Sequence, residues 1–173
     1  SLNTQAKATT FKPIAIEAGF GPGEELPALE IPLRRGDTMK MRGRIDRIDA
    51  TEIGGRNYIR VVDYKSSARS LDLTEVFYGL SLQMMTYLDV ALEHAVELLG
   101  FDADPAGLLY MHVHNPMIRP GTELTPALLE AEIAKSYKMS GYLLENPTVV
   151  EAMDSDIGRS SSIVPAALKK DGD

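Results

Sequence analysis

The hydrophobic rhythm of the chain changes once from strand to helix, and that change organises it. In the first third the period is two. FKPIAIEAGFG predicts a short strand after Pro13, with Ile14 and Ile16 alternating with smaller or polar positions. PGEELPALEIPLRRGD is rich in Pro and Gly and reads as loop with short extended pieces. MKMRGRIDRIDATEIGGRNYIRVVDYKSS predicts two strands joined at Gly54-Gly55, because paired glycines supply the positive φ of a tight hairpin turn.

The period then lengthens. Val76, Leu80, Met84, Leu88, Leu92 and Val96 recur every four residues, which predicts one amphipathic helix over Thr74–Leu99. Gly100 closes it, and Asp72 or Thr74 caps its start. DADP reads as loop and AGLLYMHVH as a strand. NPMIRPGTEL reads as loop, and TPALLEAEIAKSY as a helix with Pro126 in its first turn. KMSGYLLENPTVVEAMD reads as a turn and a short helix, and the tail GRSSSIVPAALKKDGD shows no clear pattern. Strands, long helix, strand, helix is the order of an α/β domain.

Composition narrows the class. The 173 residues suit one domain, with a hydrophobic share of 44% and a charged share of 25%. No apolar run approaches the roughly 18 residues that span a bilayer. SLNTQAKATTFKP lacks the apolar core of a signal peptide. With no cysteine, disulfides and thiolate metal sites are excluded within the chain, and the cytoplasm is the expected compartment. Ser1 and the KKDGD end suggest an excised piece of a longer protein. The net charge of −7 argues against nucleic-acid binding over the whole surface. Yet Arg34, Arg35, Lys40, Arg42, Arg44 and Arg47 cluster against only Asp37 and Asp46. That strip either meets phosphates or is a solvated face balanced by nearby acids.

The chemistry centres on VVDYKSS. Residues i and i+2 of a strand share a face, so Asp63 and Lys65 project together. A turn at Gly54-Gly55 brings Asp46 of GRIDRID level with Asp63, with a bulge free to adjust the facing. Two adjacent carboxylates repel unless a cation lies between them. Mg²⁺ favours a few hard oxygen ligands, with water and phosphate completing the shell. A lysine beside it can steady developing negative charge. These are the parts of phosphodiester hydrolysis. The plain alternative is an Asp–Lys salt bridge at a strand end.

Three motifs in order extend the pattern: Gly43-Arg44-Ile45-Asp46, Val61-Val62-Asp63-Tyr64-Lys65-Ser66, and Gln83-Met84-Met85-Thr86-Tyr87. Together they resemble the PD-(D/E)XK nucleases, specifically the RecB-like branch and, within it, the AddB-type nuclease domains. HVHNP and IVPAALKKDG are similar to that family too, so the resemblance runs from about Phe11 to Gly172. It implies a restriction-endonuclease-like core, a mixed central sheet with flanking helices. Asp46 and Asp63 would hold Mg²⁺ or Mn²⁺ with the Tyr64 main-chain carbonyl. Lys65 would activate the attacking water, Gln83 and Tyr87 would flank the site and position DNA, and Glu17 would be the acid of the first strand. A surface acid is the other reading of Glu17, and a polar pair at the helix–sheet boundary that of Gln83 and Tyr87. Ser66 and Ser67 either contact phosphate or are ordinary turn residues.

The same resemblance implies DNA and an AddA-like helicase/nuclease subunit as partners in double-strand-break processing. Two features depart from it. No histidine precedes His94, and the cysteines of the family's iron–sulfur cluster are missing, which leaves weak or no activity expected of this piece alone. A catalytically inactive DNA-binding module and a stand-alone RecB-like exonuclease are the alternatives. His112 and His114, one strand period apart, suit either zinc or ordinary strand-end roles. His94 reads as a helix-surface residue.

Overall fold

The computed structural model of the chain describes residues 8–65, 73–112, 125 and 137–167, of which 73–81 are described by their backbone alone. Ser66, Ser67, Asp72, His114, most of the expected TPALLEAEIAKSY helix and the loop before it lie outside the described residues.

The elements follow the chain as β1 (Lys12–Phe20), β2 (Leu29–Pro32), β3 (Thr38–Met41), β4 (Gly43–Ile53), β5 (Arg56–Lys65), α1 (Leu73–Glu93), α2 (Ala95–Leu99), β6 (Ala103–His112), β7 (Ser140–Leu143) and α3 (Pro147–Met153). Five strands form one sheet in the order β1-β4-β5-β6-β7, and β2 pairs with β3 in a separate ribbon. The β5–β6 pair is parallel and the others are antiparallel, so the sheet is mixed. The expected α/β class holds.

The sheet has a core on each face. On one, Ile48, Ala50, Ile59, Val61 and Leu108 pack against Met84, Tyr87, Val90, Ala91 and Ala95 of the helices. On the other, Tyr58, Val62, Leu109 and Met111 pack against Val149 and Met153 of α3 and against Ile163 and Val164. Every β5 residue from Tyr58 to Asp63 is buried, as expected of a strand covered on both sides.

The β4–β5 turn is the predicted one. Gly54 and Gly55 have φ of 59° and 79°, and Ile53 pairs with Arg56. Such a turn twists in the sense of its strands and leaves the register no slack.

Several expectations need correction. MKMRGRID is not one strand, because the chain breaks at Arg42 between β3 and β4. The DADP "loop" is largely the start of β6. SGYL is an edge strand rather than a turn. The single long helix is interrupted at His94, whose φ and ψ of −104° and 22° leave the helical region. His94 itself is buried, 7% exposed, not on the surface. The tail is packed as well: Ile163 and Val164 are buried, and the Ile163 carbonyl accepts the Met139 N–H at 2.8 Å. Asn146 caps α3 by accepting the Thr148 N–H at 3.0 Å, with Pro147 in the first turn.

Candidate functional site

Asp63 and Lys65 end β5 on the face that carries Ile59 and Val61. Asp63 is 6% exposed, and its Oδ2 lies 2.5 Å from the Lys65 ammonium. The same oxygen lacks a directed hydrogen bond. The two facts are compatible, because an ammonium can sit at ion-pair distance yet off the line of a hydrogen bond. The ion pair is the more informative of the two: the cation on this buried oxygen is the Lys65 ammonium, so a metal would share the carboxylate with it.

Asp46 reaches the same strand end from β4. The register Arg47↔Val62, carried one residue further, sets Asp46 level with Asp63. Instead of extending the ladder, the Asp46 Oδ2 accepts the Tyr64 main-chain N–H at 2.9 Å. The strand phase breaks at this level. On β1, Glu17 has φ of 54° and falls between the pairs Ile16↔Arg47 and Ala18↔Ile45. On β4, Ile45 and Ile48 join the same core although they are three residues apart. Strict alternation would put them on opposite faces. The irregularity therefore spans both strands at the acid.

The structure brings Asp46, Asp63, Tyr64 and Lys65 together. Glu17 stands level with Asp46 but is exposed, its carboxylate 3.9 Å from Arg44. Gln83 and Tyr87 are joined to each other, the amide Nε2 donating to the phenol oxygen at 2.6 Å. Tyr87 is buried and meets Phe20 edge-on at 5.9 Å. Gly43 makes that packing possible: a Cβ there would lie 2.7 Å from the Phe20 ring and 3.4 Å from Tyr87. The Gly of the first motif and the Tyr of the third are thus one packing unit.

Two further groups border the site. Tyr110 of β6 is level with Asp63, and the Lys65 ammonium lies 5.7 Å from its ring centre. Burial, helped by Asp63 and Tyr142, pushes its phenol up to about 12. The other group lies on the opposite face. Asp49 is fully buried and accepts from Arg60 Nε at 2.9 Å and from Arg47 Nε at 2.6 Å. Arg60 is 2% exposed and stacks on Phe11 at 4.7 Å. Burial lowers the Arg60 pKa despite Asp49, whereas the bonds to Asp49 and Tyr64 outweigh burial and raise that of Arg47. Arg47 also donates to the Tyr64 hydroxyl at 3.3 Å. Sequence patterning singled out neither Asp49 nor Arg60, and it placed Arg47 only in the basic strip. The visible signal was the repeated acid of GRIDRID, with Asp49 three residues after Asp46.

The residues fit a hard divalent cation. They offer two carboxylates, one of them buried beside Lys65, and a nearby main-chain carbonyl. Among the described residues no three His, Cys, Asp or Glu side chains gather at one point. Water and phosphate would complete the shell, as Mg²⁺ prefers. An iron–sulfur cluster does not fit, because the chain has no cysteine.

A sequence profile of the PD-(D/E)XK nuclease superfamily matches residues 1–160. The chain belongs to that superfamily. This PD-(D/E)XK chain is also 53% identical over 177 residues to a Lysinibacillus sphaericus protein, named as the B subunit of an ATP-dependent helicase/deoxyribonuclease. Proteins of the same name from Oceanobacillus iheyensis and Bacillus subtilis are 51% and 49% identical. Each match covers 99% of this chain and 15% of the relative, so the chain spans about a seventh of those proteins. Among the described residues no helix is long and apolar enough to cross a membrane.

Proposed function

We propose that this PD-(D/E)XK domain hydrolyses DNA phosphodiester bonds as the nuclease module of a large helicase–nuclease subunit. The observation that carries the reading is the meeting of Asp46, Asp63 and Lys65 at one end of the β4–β5 ladder. Asp46, Asp63 and the Tyr64 carbonyl would hold Mg²⁺ or Mn²⁺. Such an ion, when bound, would supply Lewis-acid polarisation of phosphate and a lowered pKa for water. Lys65, a point charge on a flexible stem, steadies the negative charge that builds on the phosphate and orients the attacking water. Asp63 holds the lysine in place. Gln83, tied to the packed Tyr87, borders the path of the strand.

The relatives' name, which makes them part of an ATP-dependent helicase, supports a partner motor subunit of the AddA kind and a role in processing double-strand breaks for recombination. Their length supports a module of a large protein over a stand-alone exonuclease. No G-x-x-x-x-G-K-[ST] loop occurs in this chain, so ATP would be used elsewhere. Action would be in the cytoplasm, on chromosomal DNA.

The test is cleavage of end-labelled DNA by the full-length subunit with its partner, for the wild type and Lys65→Ala. Losing one electrostatic stabiliser of this kind costs about 10²–10³ in rate. Equal rates would sink the reading and favour a DNA-gripping module without catalysis.

A further inference from the structure

The β2–β3 ribbon is a second feature with a chemical character of its own. Leu29 pairs with Met41 across it, and both pack against the helix-side core, which anchors the base. From Pro32 to Lys40 every residue is exposed. The Leu33 N–H donates to the Asp37 carbonyl at 2.8 Å and closes the tip. Within that tip Arg35 has φ of 96°, beside Gly36 at 84°. Glycine adopts this region freely, whereas a side chain there is strained, and such strain clusters at functional sites.

The charge of the ribbon runs against that of the chain. Arg34, Arg35, Lys40 and Arg42 face Glu30 and Asp37, four cations to two anions, in a chain of net charge −7. Lys40 is paired with Glu30 at 2.7 Å. Arg34, Arg35 and Arg42 are exposed and, among the described residues, have no ion pair. Exposed, uncompensated guanidinium groups suit phosphate, which they bind in a fork.

Position makes the partner specific. Arg42 precedes Asp46 by four residues of nearly continuous extended chain, about 13 Å at strand rise. Arg35 precedes it by eleven, a limit of about 36 Å. At roughly 3.4 Å per nucleotide these lengths reach at most about four and about eleven nucleotides.

We propose that the β2–β3 arm grips the DNA backbone several nucleotides from the cleaved bond, through Arg34, Arg35 and Arg42. This rests on the reading that the site cleaves DNA. The grip is to phosphate and carries no sequence preference.

The test measures DNA affinity against salt for the full-length subunit, with an oligonucleotide long enough to reach the arm. Replacing Arg34, Arg35 and Arg42 by Gln should reduce the log–log salt slope by about 2–3, from three lost phosphate contacts. Lys12→Gln, an exposed cation off the arm, should leave the slope unchanged. An unchanged slope in the triple variant overturns the proposal. If its melting temperature also falls, the arm docks on the rest of the protein instead. An equal drop with Lys12→Gln overturns it too, because the arm then has no special part. Asp63→Asn in the same assay keeps the two readings apart. It should stop cleavage and keep the slope, so continued cutting would sink the nuclease reading alone.

Discussion

Asp46 accepts the Tyr64 main-chain N–H at 2.9 Å across the end of the β4–β5 ladder. The carboxylate replaces the next rung of the sheet and grips the Asp63–Tyr64 peptide. Its hold sets the position of that peptide as well as its own second oxygen. Hydrogen bonds to charged groups contribute about 1.5–3 kcal/mol when shielded, and this one is partly in solvent. Asp46→Ala should therefore cost about 1 kcal/mol. Urea unfolding without divalent metal measures it, and a cost near zero would mean that the carboxylate does not organise the strand end.

Gly43 should tolerate no side chain. A methyl group 2.7 Å from the Phe20 ring must push it against Tyr87. Gly43→Ala is expected to destabilise by about 1–3 kcal/mol through overpacking. At about 2–4 °C per kcal/mol for a chain of this size, a melting curve would register a fall of several degrees. An unaltered melting temperature would mean that the rings yield freely.

Asp49 and Arg60 form a buried pair whose halves cannot be removed singly. Asp49→Asn leaves Arg60 charged at 2% exposure and should cost about 3–5 kcal/mol. Asp49→Leu combined with Arg60→Met should recover most of that loss, because apolar replacement of a whole buried pair is often near neutral. A double variant as unstable as the single one would show that the Arg47 bonds to Asp49, which it also removes, carry the stability instead.

Tyr110 should remain a phenol well into alkali. Its folded value, pushed up to about 12, lies above the ordinary 10, so folding favours the protonated form. The stability this contributes is complete below about pH 10 and is lost as pH rises through about 12. Tyrosinate absorbance of the wild type minus that of Tyr110→Phe gives its titration directly. A midpoint near 10 would contradict the shielding by β6 and its neighbours.

What could be read from the sequence was whatever two adjacent positions or one turn decide. Gly54-Gly55 set the hairpin, and the hairpin set Asp46 level with Asp63. Features that depend on a third element were hidden. Asp49 and Arg60 drew no reading until register and face were known. Tyr110 meets Asp63 only through a parallel pairing that follows a long crossover. The helical stripe misled near its end: a repeat of four gains about 40° per turn on a helix of 3.6, so it rotates off the core. Val96 is accordingly 53% exposed, while His94, one turn beyond the buried Val90, is inside. The tail gave no period because Ile163 and Val164 are held by Ser161, whose hydroxyl accepts both of their N–H groups and donates to Asp154.

The central claim is that the ends of β4 and β5 form one divalent-cation site, and Mn²⁺ binding tests it without requiring turnover. Calorimetric titration of the full-length protein should show a site that Asp63→Asn and Asp46→Asn each weaken by at least about tenfold, more than about 1.4 kcal/mol. Lys65→Ala should leave that site in place. If both Asp variants bind Mn²⁺ as the wild type does, the carboxylates hold no cation and Asp63 with Lys65 is a salt bridge only.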